Sequence, residues 1–294
     1  MWLKVLIISI IILLVVCLFS IWHASTHFHK VFYRLSSDKI SKPVKFVVLS
    51  DLHDQKYDND NKKLLVAIEK EAPDAVLVAG DMLTALDERE KTAEAFIGRL
   101  AQKYRVYYGL GNHEAKMKWN REKFGDLYES YLGEIKALGA NVLINDFLEI
   151  EEVPVRIYGL DIAEIYYKRF KQVPMADDYV ERKLGQTDGG FYNILLAHNP
   201  MYFENYAKWQ PDLVLSGHVH GGLVRLPFLG GVIAPNLHLF PKYDGGKFSI
   251  GDSTMILSRG LGFHSVEFRM WNQAELVVIS LEPTSMCEQL DNKE

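Results

Sequence analysis

Gly217-His218-Val219-His220-Gly221-Gly222 follows an apolar run, Pro211-Asp212-Leu213-Val214-Leu215-Ser216. The run reads as a buried strand, and the glycines behind it let the backbone turn sharply with no Cβ in the way. In extended chain, residues two apart point to one side. His218 and His220 are therefore expected to face one site at the carboxyl end of a strand. Taken alone, the motif is equally open to two unrelated loop histidines. The chain upstream favours the shared site.

Val44 to Ser50 is a strand by its β-branched content, and it ends in Asp51-Leu52-His53. A carboxylate and an imidazole two apart begin a mixed oxygen–nitrogen metal site. Residues 61–71 have helical periodicity, and Pro73 stops them. The unit then repeats. Ala75 to Ala79 is a strand that ends in Gly80-Asp81, 88–103 reads as a helix, and Arg105 to Leu110 is a strand that ends in Gly111-Asn112-His113-Glu114. Three strands separated by helices describe a βαβαβ unit with its site at the carboxyl ends. Any one of these Asp or Asn residues alone reads as a helix N-cap. Three in register, followed by two histidine stretches, argue for a site.

The second half is less regular. Residues 124–138 read as a helix and 140–160 as antiparallel strands with Pro154 in a turn. Residues 161–190 form a charged, Tyr-rich insertion. Tyr166, Tyr167, Arg169 and Phe170 are expected in a packed surface helix, with a lid over the site as the competing reading. Tyr192 to Ala197 is a strand ending in His198-Asn199-Pro200, and a helix follows to Trp209. Residues 221–240 are rich in Gly and Pro yet strongly apolar. They read either as a rim that holds an acyl chain or dips into a bilayer, or as ordinary loop packing. Strands at 254–258 and 275–281 close the chain.

The N-terminus stands apart. Val5 to Trp22 carries no charge and is apolar apart from Ser9 and Ser20, which is the short end of a bilayer span. An uncleaved anchor over 1–23 is expected, with a signal peptide as its competitor; no small-x-small cleavage site follows the run. Val16 stands where a lipoprotein signal needs a small residue before Cys17. Trp2 and Trp22 would sit at the two interfaces. The basic residues after the span put the domain in the cytoplasm by the positive-inside rule, whereas a signal anchor would put it outside. Residues 24–43 read as a polar, basic tether, 44–282 as the globular domain and 283–294 as a tail. The chain is globular by composition, 48% hydrophobic with a net charge of −5, and no basic run points to nucleic acid. Its two cysteines, Cys17 and Cys287, exclude a disulfide framework.

In order and spacing, Asp51-x-His53, Gly80-Asp81, Gly111-Asn112-His113-Glu114, His198 and Gly217-His218-x-His220 resemble the calcineurin-like metallophosphoesterase signature. Gly221-Gly222, the loop at 225–228, Phe240-Pro241-Lys242-Tyr243 and Ser258-Arg259-Gly260-Leu261-Gly262 resemble its membrane-anchored subgroup of YaeI- and YkuE-like phosphoesterases. The resemblance implies an α/β (α+β) fold, a four-layer αββα sandwich, behind the transmembrane anchor. It implies two divalent metal ions. Asp51, His53 and His220 would hold one, Asn112, His198 and His218 the other, and Asp81 would bridge them. His113 would be the catalytic acid, and Glu114 a partner orienting a neighbouring imidazole. A donor set of Asp, Asn and His without thiolate suits manganese, iron or zinc. Met82-Leu83-Thr84 follows Asp81, so the tyrosinate ligand of purple acid phosphatases is not expected. The implied reaction is hydrolysis of a phosphodiester or pyrophosphate by metal-activated hydroxide. A lipid-linked substrate of the UDP-2,3-diacylglucosamine kind is one expectation, a cell-wall phosphodiester another. A metal-binding membrane scaffold without turnover is the reading from a different class.

Overall fold

The structure, a computed structural model, describes residues 1–86, 91–168, 172–226, 228–234, 239–263 and 268–286. Helix α1 (Trp2–Thr26) is followed after one residue by strand β1 (Phe28–Ser37). Strand β2 (Val44–Leu49), helix α2 (Lys62–Glu69), strand β3 (Ala75–Ala79), helix α3 (Thr92–Ala101) and strand β4 (Arg105–Gly109) come next. Helices α4 (Asn112–Trp119), α5 (Arg121–Phe124) and α6 (Leu127–Ala137) lead to strand β5 (Ala140–Leu143). Strands β6 (Asp146–Ile150) and β7 (Val155–Gly159), helix α7 (Tyr179–Leu184), strand β8 (Tyr192–Leu196), helix α8 (Phe203–Lys208) and strand β9 (Leu213–Ser216) start the second half. A hairpin of β10 (Val224–Leu226) and β11 (Gly230–Ile233) precedes β12 (Gly246–Ile250), β13 (Ser253–Leu257) and β14 (Ala274–Pro283).

Two six-stranded sheets result, ordered β1-β14-β2-β3-β4-β5 and β12-β13-β9-β8-β7-β6. Their inner faces meet in one apolar cluster. Phe46, Leu77 and Tyr107 come from the first sheet, Ile157, Ile194 and Leu215 from the second. On the outer face of the first sheet, Leu64, Ile68, Phe96 and Ile135 pack from α2, α3 and α6. On the outer face of the second, Val180, Phe203 and Tyr206 pack from α7 and α8. The order is helix, sheet, sheet, helix, the expected αββα sandwich. Within it β2 to β5 run parallel, as do β7 to β9, so their carboxyl ends form two adjoining edges.

Several segments depart from the sequence reading. The stretch read as a tether holds β1, which pairs along its length with β14. Its alternation was hidden by Phe32, an exposed apolar residue on the same face as Lys30 and Arg34. Such charges are usual on an edge strand, and here they pair with Glu71 at 2.5 Å and Glu282 at 3.4 Å. The globular part therefore begins at Phe28, not Val44. Residues 140–160 are not one antiparallel set, because β5 joins the first sheet parallel to β4 and only β6 and β7 pair antiparallel. Asn145, at φ 50°, makes the turn between the sheets. The motif Asn112-His113-Glu114 opens a helix of its own, α4. The 161–190 insertion holds a short 3-10 turn (Glu164–Tyr167) and α7, while Arg169 and Phe170 lie outside the described residues.

Candidate metal centre

The motif loops after β2, β3 and β9 leave their strands through left-handed backbone: φ is 52° at Asp51, 49° at His53, 55° at Asp81, 74° at His218 and 51° at His220. His218 and His220 thus reach the site from a tight turn, not from the extended chain expected of them. Such conformations cost about 1–3 kcal/mol each for residues with a Cβ. Hydrogen bonds between the loops hold them. Asp51 N–H donates to the Gly80 carbonyl at 3.0 Å, His53 N–H to the Asp81 carbonyl at 3.1 Å and Gly217 N–H to the His198 carbonyl at 3.0 Å. The approach is close enough to demand glycine. A Cβ on Gly111 would lie 2.1 Å from Asp81 Oδ1, and one on Gly217 would lie 1.9 Å from Ser50 Oγ.

The turns bring the expected residues into overlapping groups. One donor atom from each of Asp51, His53 and His220 lies within 4.8 Å of the others, and the same holds for Asp81, His198 and His218. A third group joins His53, Asp81 and His113. His220 Nε2 is 3.2 Å from Asp51 Oδ1, and His198 Nε2 is 3.1 Å from Asp81 Oδ2 and 3.7 Å from Asp51 Oδ1. Asp51 is further fixed by Ser50 Oγ–H at 2.5 Å and the His218 N–H at 3.0 Å. His113 N–H donates to Asp81 Oδ1 at 2.7 Å.

Do these residues fit a metal? The buried Asp81 Oδ2 and His198 Nε2 meet at 3.1 Å, and Asn112 Oδ1 is buried with no hydrogen-bond partner. Buried polar atoms are rarely left so unless something else satisfies them. The donors are carboxylate, amide and imidazole, and divalent transition ions take this set. His198 Nδ1 lies 2.6 Å from the Ala79 carbonyl, which fixes the ring hydrogen there and leaves the Nε2 lone pair facing the carboxylates. The residues fit the ions.

Burial works against charge throughout, and the opposed charges decide the outcome. Burial disfavours a proton on His198, but Asp81 and Asp51 outweigh it and hold its pKa up at about 10. Burial pushes the carboxyls of Asp51 and Asp81 up, but the surrounding imidazoles pull both below the usual carboxylate range. Metal-free, the site therefore holds a proton where an ion would sit. Burial lowers the pKa of His113, so this ring is neutral at pH 7. The Ala85 N–H donates to its Nδ1 at 3.0 Å, which leaves Nε2 to carry the hydrogen.

Glu114 does not do what the sequence suggested. It accepts from the backbone N–H groups of Asp81, Met82 and Gly111, each at 3.0 Å, and from Tyr108 Oη–H at 2.6 Å. It orients two loops, not an imidazole. Burial, with Asp81 nearby, pushes its pKa up to about 7 against these four donors. Sequence reasoning missed Arg269 altogether. Its buried guanidinium lies 3.2 Å from His220 Nδ1 and donates to the Gly262 carbonyl at 2.5 Å and to the Arg259 carbonyl at 2.7 Å. Asn272, also missed, donates to the carbonyls of His220 and Gly222 at 2.6 and 2.5 Å. Both lie about fifty residues beyond His220, and only the return of the chain into β14 brings them under it.

A cleft of about 480 Å³ opens over Asn112, His113 and His218. Lys116, Trp119, Tyr166, Tyr167, Tyr202 and Phe240 are among its walls. Tyr167, from the insertion, sets its ring against His218 at 5.2 Å and Trp119 at 5.7 Å between centroids.

A family model described as calcineurin-like phosphoesterase matches residues 44–222, more than half of this chain. An uncharacterized metallophosphoesterase of Campylobacter jejuni is 27% identical over 254 residues, which cover 83% of this chain and 60% of that protein. The chain thus spans less than two thirds of that relative's length. The metallophosphoesterase YkuE of Bacillus subtilis is 24% identical over 246 residues, 82% of this chain and 80% of its own. The phosphodiesterase YaeI of Escherichia coli is 26% identical over 227 residues, 75% of this chain and 76% of its own.

Proposed function

Since the chain belongs to the calcineurin-like phosphoesterase family of metal-dependent phosphoester hydrolases, we propose that it is a membrane-anchored, dinuclear hydrolase of phosphodiesters or pyrophosphates. One observation supports this above the others. Two buried oxygen–nitrogen donor groups, Asp51–His53–His220 and Asp81–His198–His218, adjoin next to a cleft lined by Asn112, His113 and His218, and the buried Asn112 Oδ1 has no hydrogen-bond partner.

In this reading Asp51, His53 and His220 hold one divalent ion, Asn112, His198 and His218 the other, and Asp81 lies between. Bound there, two divalent ions would supply Lewis acidity, lowering the pKa of a water and stabilising negative charge on phosphoryl oxygens. The protein's part is to keep its ligands in place. Ser50 and the His218 amide orient Asp51, the Ala79 carbonyl orients His198, and Glu114 ties the Asp81 loop to the Gly111 loop. His113 acts on the leaving oxygen through Nε2–H. Protonating Nδ1 as well would set its hydrogen against the Ala85 N–H. Manganese, iron and zinc all suit the donors.

The anchor is α1, whose apolar window has a mean hydropathy of 3.2 and is unburied. Together with the aromatic walls of the cleft it supports a lipid-linked substrate, such as a diacylated sugar on a nucleoside pyrophosphate. The test uses the full chain in detergent, metal-stripped and refilled with Mn²⁺. Bis-p-nitrophenyl phosphate, p-nitrophenyl phosphate and UDP-2,3-diacylglucosamine are compared, with Asp81→Ala as control. Mn²⁺-dependent turnover that Asp81→Ala abolishes is expected, with the pyrophosphate or the diester preferred to the monoester. Two bound ions with no turnover on any of the three would overturn the hydrolase and leave a binding scaffold.

A further inference from the structure

The stretch from 221 to 240 is too rich in glycine and proline for regular structure by sequence, yet part of it folds as the β10–β11 hairpin. At the tip Phe228 is 108% exposed and Leu229 63% exposed. Phe228 also sits at φ 67°, a strained turn that thrusts the ring away from the protein. Among the described residues, none covers this apolar tip.

What covers it is suggested by the neighbouring elements. Val224 of β10 bridges to Met270, with Arg225 N–H donating to the Met270 carbonyl at 3.0 Å and Met270 N–H to the Leu223 carbonyl at 2.9 Å. The next residue, Trp271, is 40% exposed and lines a hollow with Phe228 and Leu229. Its N–H donates to Ser20 Oγ of α1 at 2.8 Å. Ser20 lies in the last turns of the apolar helix, two residues before Trp22. If α1 spans a bilayer, Trp271 and Trp22 stand together at the lipid–water boundary, the level that tryptophan favours. No tether intervenes, because only His27 separates α1 from β1. Gln273 Nε2 lies 3.5 Å from His23 Nδ1, and Ala24 is buried. The helix is thus seated on the domain beside the hairpin.

We propose that the β10–β11 hairpin is a second bilayer contact, with Phe228 and Leu229 inserted among the lipid headgroups beside α1. The proposal rests on the anchor reading of α1. Burying these two apolar side chains at the interface holds a domain that α1 already tethers against the surface. The charges nearby do not oppose it, since Arg225 pairs with Asp244 at 3.1 Å and Arg259 with Glu275 at 2.7 Å. The consequence concerns substrate access. Gly222 adjoins the metal centre, and five residues separate it from Phe228, a reach of at most about 20 Å. Ile233 of β11 bridges to Leu239, which with Phe240 lines the cleft. The cleft then opens beside the headgroups, and a phosphoester on a membrane lipid reaches it without leaving the bilayer.

The test uses the full chain in vesicles of phosphatidylcholine and phosphatidylglycerol. In a Cys17→Ser, Cys287→Ser background, single cysteines at Phe228, Leu229, Ile11 and Glu151 carry an environment-sensitive fluorophore. Glu151 lies in the turn before β7, at the end of the sheets away from the site. Labels at 228 and 229 are expected to be quenched by shallow doxyl lipids and shielded several-fold from iodide relative to 151. The label at 11 is expected to be quenched by deep doxyl lipids. If 228 and 229 behave like 151 while 11 is deep, the hairpin proposal fails and the anchor stands. If none of the three enters lipid, both fail.

Discussion

The Ala85 amide donates to His113 Nδ1 at 3.0 Å, so the ring meets the cleft as a neutral Nε2–H donor. Its contribution should then scale with the basicity of the leaving oxygen. His113→Ala is expected to slow hydrolysis of an alkyl phosphodiester by about 10²–10⁴-fold, and that of a p-nitrophenyl ester far less. Steady-state rates on the two substrates check this, and equal losses would remove His113 from the leaving group. His198 carries the second prediction. Its pKa in the metal-free protein is about 10 against an ordinary 6.5. A raised histidine pKa gives stability that is complete below pH 6.5 and lost as pH rises toward 10. The loss is on the order of 5 kcal/mol. Thermal unfolding of the metal-free chain should show Tm falling across that window. Mn²⁺ must displace the proton, so its stabilising effect should grow with pH, with about one proton released per chain at pH 7. Calorimetry in buffers of different ionisation enthalpy reads the proton directly. The donor side chains were legible because each ends an apolar run. Glu114 and Arg269 were not, since a buried carboxylate bound to backbone amides and a guanidinium beneath His220 leave no spacing to read.

At the scale of the element, the site depends on loops rather than strands. The loop after β9 turns at Gly217, where an added Cβ would lie 1.9 Å from Ser50 Oγ and 2.2 Å from Asp51 Oδ2. Gly217→Ala is therefore expected to push the β2 and β9 loops apart, at a cost of about 1–3 kcal/mol, and to abolish binding at the Asp51–His53–His220 group. Gly133 in α6 has open space at its Cβ, so Gly133→Ala should leave metal stoichiometry intact and stabilise by about 0.5–1 kcal/mol. Metal content by atomic emission and urea unfolding separate the two. The same contrast explains which elements the sequence revealed. Buried parallel strands such as β3 and β9 are continuous apolar runs with polar ends, and they read themselves. Edge elements do not. β1 interrupts its alternation with the exposed Phe32, and the β10–β11 hairpin reads as loop because Gly230 at φ 73° makes its turn. Left-handed φ at His218 and His220 was equally hidden, as loop contacts between distant segments impose it.

At the scale of the molecule, β1 ties the N-terminal helix to the sandwich. It pairs with β14 from Phe28↔Ala274 to Ser37↔Pro283, and the segment after it buries Ile40. Lys39 reaches across to Asp212 on the second sheet at 2.8 Å, so 28–43 braces both sheets. A chain cut at Val44 would bare β14 as an apolar edge, open to pairing with other chains. It would also lose Leu35 and Ile40 from the core, each worth about 1.5–3 kcal/mol. At roughly 2–4 °C per kcal/mol for a domain of this size, residues 44–294 should melt about 10 °C or more below residues 27–294, or aggregate. Light scattering and thermal unfolding of the two truncations test this. Equal Tm values in two monodisperse samples would mean that β1 is an appendage and that the helix hangs from the sandwich by a free segment. A wide gap would mean that the sandwich starts one residue beyond the helix. The position of the cleft relative to the helix would then be set by the fold itself.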